Sequence, residues 1–348
     1  MKKSLLTLAV LGALSSAAFA QTNVTIYGVV DAGVAYDKNI SASNSIWKLQ
    51  SGQQSSSRLG FKGAEDLGGG LSAVFTLENG FSIDDGTLGQ GGRLFGRQAW
   101  VGLNGGFGSV KLGRQQTFLY NSLLAVDPFS INLAGNAQKI FGYGLYFVDP
   151  LSRTDNTISY ATPNFGGLTG MVSYGFGEQP GSTSTRSQTA FGANYANGPL
   201  NAQFVYHKAR DTTLSASVSA LGVGGTADLR TAFIGGTYDF GVVKAHLAFA
   251  ETKAESTVAE TKDRNYLLGL SAPIGLGTVM ASYVRNDVRD IASGVTDQYA
   301  IGYSHKLSKR TNLYTSYGYT KNDSNVRLNA YANGQNGTLF NVGVRHLF

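Results

Sequence analysis

Apolar and polar side chains alternate at a period of two along most of the chain, interrupted by turn signals. That period belongs to strands, whose successive side chains point to opposite faces. In 200–208, Leu200, Ala202, Phe204 and Tyr206 share one face, and Asn201, Gln203, Val205 and His207 the other. In 242–251, Val243, Ala245, Leu247 and Phe249 oppose Lys244 and His246. In 278–286, Val279, Ala281 and Tyr283 oppose Ser282 and Asn286. The last segment carries Phe340, Val342, Val344, His346 and Phe348 against Asn341, Gly343 and Arg345. An edge ending on such a strand would aggregate unless paired, and a sheet closed on itself pairs it.

The alternation predicts sixteen strands, at 24–36, 57–66, 71–81, 93–104, 109–116, 157–162, 168–176, 187–195, 200–208, 229–239, 242–251, 263–272, 278–286, 297–306, 312–321 and 338–348. Their connections come in two sizes that alternate. Short Gly-rich turns fall at 66–70, 104–108, 163–167, 197–199 and 273–277, between longer polar stretches at 37–56, 179–186, 211–228, 253–262 and 323–337. Tight turns at one end and long loops at the other mark a membrane-spanning barrel. A two-sheet sandwich also alternates, but its solvent face needs more Lys and Glu than these strands carry. Only 14% of residues are charged, against about 25% in soluble domains. The 46 Gly, 18 Tyr and 19 Phe suit an oily outer wall with aromatic girdles.

One connection stands apart. The segment 117–154 is too long for an ordinary loop and too apolar for disorder, with Phe118, Leu119, Tyr120, Leu123, Leu124, Val126, Phe129, Ile131 and Leu133. It is expected to fold into the barrel and narrow it.

The first twenty residues read as an export leader: Lys2 and Lys3, an apolar run over 5–14, and Ala18-Phe19-Ala20 as a small-x-small cleavage site. The mature barrel domain is then 21–348. No Cys is present, so no disulfide or thiolate chemistry is available. Lys+Arg number 28 and Asp+Glu 22; without Lys2 and Lys3 the balance is 26 to 22, or +4. That mild excess does not argue for nucleic acid as a partner.

Four strings sharpen the reading: VTIYGVVDAGV at 24–34, SRLGFKGAEDLGGG at 57–70, RQAWVGL at 97–103 and FGSVKLGR at 107–114. With the terminal strand, they make the whole mature chain resemble the general porins of Gram-negative outer membranes, most closely the anion-preferring branch. The resemblance implies an all-β, sixteen-stranded antiparallel transmembrane barrel with an inward-folded third loop. It also implies a homotrimer in the outer membrane, in contact with lipopolysaccharide and other outer-membrane lipids, assembled by the barrel-assembly machinery with Phe348 as C-terminal signal. Its cargo would be small hydrophilic solutes crossing passively, with no cofactor. Carried over by position, the family's constriction ladder falls on Arg58, Arg97 and Arg153, and its facing loop acid on Asp127, for which an ordinary Asx turn before Pro128 is the other reading.

Parity supplies an independent sorting. Leu59 and Phe61 need the lipid face, where a charge near midplane costs about 2–4 kcal/mol; Arg58 and Lys62 therefore line the lumen, and Lys62 is expected on the basic side of the constriction with the arginines. Arg97 lies opposite in parity to Leu94 and Trp100, which places it inward, and Arg93 shares its parity nearer the loop. Arg114 goes with Val110 and Leu112, at a rim or subunit contact. Asp31, Lys244, His207 and His246 are weaker pore-lining candidates. Guanidinium groups stay charged at physiological pH, and rings of them select anions.

Enzymatic readings find little support. His207, His246, His305 and His346 flank no nucleophile motif, and no metal-ligand spacing or phosphate-binding loop stands out. A substrate-specific channel or a surface adhesin is the alternative; Tyr27 and Tyr120 are too few for an aromatic sugar track.

Overall fold

The computed structural model describes residues 23–141, 152–213, 226–257 and 259–348. The expected leader at 1–20 lies outside them, as does 142–151 of the long connection. The strands are β1 (Asn23–Lys38), β2 (Ser45–Ser51), β3 (Arg58–Gly68), β4 (Leu71–Gly80), β5 (Gln98–Gly105), β6 (Gly108–Gln116), β7 (Arg153–Ala161), β8 (Leu168–Gly175), β9 (Gln188–Asn197) and β10 (Leu200–Thr213). They continue as β11 (Thr226–Asp239), β12 (Lys244–Glu255), β13 (Glu260–Ile274), β14 (Gly277–Val288), β15 (Val295–Lys306), β16 (Thr311–Asn322) and β17 (Gly337–Leu347).

All neighbours pair antiparallel, and the sheet closes. β1 pairs with β17 on one side, and with β3 and then β2 on the other, along successive parts of its length. β2 and β3 thus share one position, which makes the seventeen runs a sixteen-stranded barrel. Closure extends to Phe348, whose N–H and C=O exchange hydrogen bonds with Gly28, each 3.1 Å.

Two expected boundaries move. The stretch 37–56 is not all loop, because Ser45–Ser51 pairs with the far end of β1. The strand expected from residue 93 starts at Gln98, since 91–97 is turns and irregular backbone. Later strands run longer than expected, β13 reaching 15 residues, because hydrogen bonding continues beyond the span that lipid contact marks in the sequence.

The outer surface carries the apolar set, including Ile234, Leu247, Leu268 and Ile301, each more than half exposed. The inner surface is not uniformly polar. Thr117 caps helix α1 (Phe118–Val126), its hydroxyl accepting from the Tyr120 N–H. Leu119, Leu123 and Val126 of that helix are buried with Val205, Leu229, Phe233 and Leu267 of the wall. At about 1.5–3 kcal/mol per large side chain, this small core inside the barrel holds the loop in place.

Beyond the helix the loop rests on a row of small residues. Strand register aligns His246, Gly269, Ser282, Ala300 and Gly318 in succession across β12–β16. Pro128 lies 2.7 Å from where a Cβ on Gly269 would sit, and the Ala134 carbonyl 2.4 Å from that of Gly318. Only glycine admits the loop this closely. Phe129 packs with Met280, Ala300 and Tyr314, and the Ala134 N–H donates to Ser316 Oγ at 3.0 Å.

Candidate pore constriction

With the loop seated on β10–β16, the remaining opening faces the other wall. Arg58 of β3, Arg97 just before β5 and Arg345 of β17 line one cavity with Gln54 and Ser55, opposite Tyr120, Leu124, Phe129 and Ser130 of the loop. Register explains the grouping: β1 sits between β3 and β17, with Val29 opposite Arg58 and Asp31 opposite Arg345. Among the described residues, no carboxylate lines this cavity.

The wall's acids are engaged behind it. Glu78 Oε1 accepts from Arg97 Nε at 2.7 Å and its Oε2 from the Tyr27 hydroxyl at 2.9 Å. Asp31 is fully buried and accepts from the Gln54 and Ser55 N–H groups and from the Tyr314 hydroxyl. Neither Arg58 nor Arg345 has an ion pair among the described residues; Arg345 donates to Asn312 Oδ1 and Ser55 Oγ. The Arg58 Nε is buried without a partner.

Of the expected ladder, Arg58 and Arg97 come together. Arg153 joins from the side, donating from Nε to the Arg97 carbonyl at 3.2 Å and lying 5.5 Å from the Tyr120 ring centroid. It fixes the start of the loop helix to the wall. Arg345 and Glu78 were missed, although parity marks both: Arg345 opposes Val342 and Val344, and Glu78 opposes Phe75 and Leu77.

Several expected roles need correction. Asp127 does not face the arginines. It is 3% exposed, and its carboxylate accepts from the N–H groups of Phe129, Ile131 and Ala137, so it folds the loop's own turn. Burial pushes its pKa up to about 6 against the opposing effect of those donors. Asp31 is likewise a backbone anchor. His246 Nδ1–H donates to the Val126 carbonyl at 2.7 Å while Nε2 meets Ser271 Oγ at 2.9 Å, so this ring clamps the helix end. His207 is 2% exposed and bonds Gln188. Lys244 pairs with Asp239 at the β11–β12 turn. Arg93 and Arg114 share the Asp155 carboxylate at 2.8 and 2.7 Å, outside the arginine-lined cavity.

The inward position of Arg97 arises differently from the parity argument. Trp100 also faces the lumen, pairing with Thr76 in the inward row that contains Lys62. Arg97 precedes the strand, so parity does not apply to it. Lys62 itself lies nearer the short-turn end, in a separate cavity with Trp100 and Lys111.

A sequence profile of Gram-negative porins matches residues 7–325. The outer membrane porin protein 32 of Delftia acidovorans is 37% identical over 365 residues, covering all of both chains. An outer membrane porin of Bordetella pertussis is 34% identical over 401 residues, again with full coverage. Among solved structures, the anion-selective porin from Comamonas acidovorans superposes with a TM-score of 0.83 at 34% identity, over 94% of this chain and 100% of that one. A closed barrel with an infolded third loop, matched over nearly its whole length, assigns this chain to the Gram-negative outer-membrane porins.

Proposed function

We propose that the barrel is a passive diffusion channel for small hydrophilic solutes with a preference for anions. The observation that carries this reading is the cavity between loop and wall, lined by Arg58, Arg97 and Arg345 with no carboxylate among the described residues. Fixed positive charge in a narrow, low-dielectric passage focuses the field on passing ions. The guanidinium groups attract phosphate and carboxylates and raise the barrier to cations. The anion-selective structural relative supports the same reading. A homotrimer fits the family, with the Arg93–Asp155–Arg114 cluster as a candidate subunit contact.

The test is the zero-current potential of the protein in planar bilayers under a KCl gradient. Wild type should give the sign of anion preference. Arg58→Glu, which changes the local charge by two units, should lower the anion-to-cation permeability ratio by on the order of tenfold. An unchanged potential would remove Arg58 from the selectivity filter.

A further inference from the structure

A second basic cluster lies on the short-turn side of the constriction, the periplasmic side in such barrels. Thr25, Lys62, Thr76 and Trp100 form one inward row across β1, β3, β4 and β5, and Lys111 stands on β6 opposite Gly102. Lys62, Lys111, Trp100, Asn104 and Ser109 line a cavity of about 600 Å³. Trp100, Ser109 and Lys111 also line the adjoining cavity beneath the loop helix. The two spaces therefore meet at these three residues.

Three features make this more than a solvated wall. Lys111 Nζ is held 4.4 Å from the centroid of the Trp100 ring, and Lys62 Nζ 5.4 Å from that of Tyr27. The aromatic faces fix both ammonium groups without neutralising them. Among the described residues, no carboxylate lines the cavity and neither lysine has an ion pair. Asn104 Oδ1 and Ser109 Oγ are buried there with no hydrogen-bond partner. A buried hydroxyl and amide left open beside two cations match what an oxyanion requires, namely charge-assisted donors and neutral donors converging from one wall. An amide flip turns the Asn104 N–H₂ toward the same space.

We infer that Lys62, Lys111, Asn104 and Ser109 form a periplasmic-side binding subsite for small oxyanions, separate from the arginine constriction. Solutes leaving the arginines would pause there, and anions added from the periplasm would be captured first. The inference rests on the channel reading, and the experiment separates the two. Inorganic phosphate is added to either side of the full protein in a bilayer carrying chloride current, and the half-blocking concentration is read relative to each variant's own current. Addition on one side should block at lower concentration than on the other. Lys62→Gln with Lys111→Gln should raise that lower value about tenfold, while Lys62→Arg with Lys111→Arg should restore it. Each single variant serves if the double one fails to insert. Identical phosphate block in wild type and the Gln variants assigns binding to the constriction alone and overturns the subsite. A wild type that carries no ion current overturns the channel reading itself.

Discussion

Glu78 Oε1 lies 2.7 Å from Arg97 Nε, with both side chains almost wholly buried. The pair offsets one of the three cavity-lining guanidinium charges and leaves Arg58 and Arg345 as the wall's positive surplus. Glu78→Gln keeps an acceptor for Arg97, replaces the acceptor at Tyr27 with an amide N–H that the Tyr27 hydroxyl can accept, and removes the negative charge. It should increase anion preference, seen as a larger zero-current potential of the same sign. An unchanged potential would mean that Glu78 does not act on the permeating ion.

Arg345→Gln should weaken anion preference by severalfold, because this residue faces the same cavity from β17. Reversal potentials would detect it, and no change would exclude Arg345 from the ion path.

Preference should also fall with salt. The Debye length shrinks from about 10 Å at 0.1 M to about 3 Å at 1 M, so wall charges act over less of the lumen. Permeability ratios measured across that range should converge toward those of free solution.

Asp127 should give the loop a pH response. Its folded pKa of about 6 stands above the ordinary value of 3.8 because of burial. The group therefore favours the seated loop fully below pH about 4, and loses that contribution as pH rises through about 6. Current noise from loop motion should be lower at pH 5 than at pH 7.5, and Asp127→Asn should remove the difference. A pH response that survives in Asp127→Asn would point to another group.

Gly28 and Phe348 should prove sensitive. A Cβ on Gly28 would sit 2.2 Å from the Phe348 ring and 2.7 Å from the Arg58 carbonyl. Gly28→Leu, or deletion of Phe348, should reduce the folded fraction severalfold by electrophoretic mobility before and after heating. Each disturbs the mutual hydrogen bonds at the seam, which contribute about 1 kcal/mol apiece.

The barrel was readable in the sequence because lipid on one face and water or loop on the other impose alternation. β2 escaped because it pairs with the outer end of β1, although Trp47 and Leu49 alternate there. Trp100 was placed on the wrong face for a chemical reason: an indole fits equally well against lipid or over a lumenal lysine. Asp127 before Pro128 offered either a facing acid or an Asx turn, and the Phe129 N–H bond to its carboxylate is that turn. The further bonds to Ile131 and Ala137 depend on the loop's path and have no residue pattern. Arg345 and Glu78 were legible by parity. His246, also inward by parity, became a clamp only once the helix end was known to arrive beside it.

The shelf of Gly269, Ser282, Ala300 and Gly318 is a single rung of the hydrogen-bond ladder. The channel's bore is consequently written into strand pairing rather than into the third loop alone. Lengthening an external hairpin would leave that diameter unchanged, whereas one residue inserted within β13–β16 would misalign the rung and shift the obstruction. The outer hairpins and the width of the passage are therefore set by separate parts of the chain.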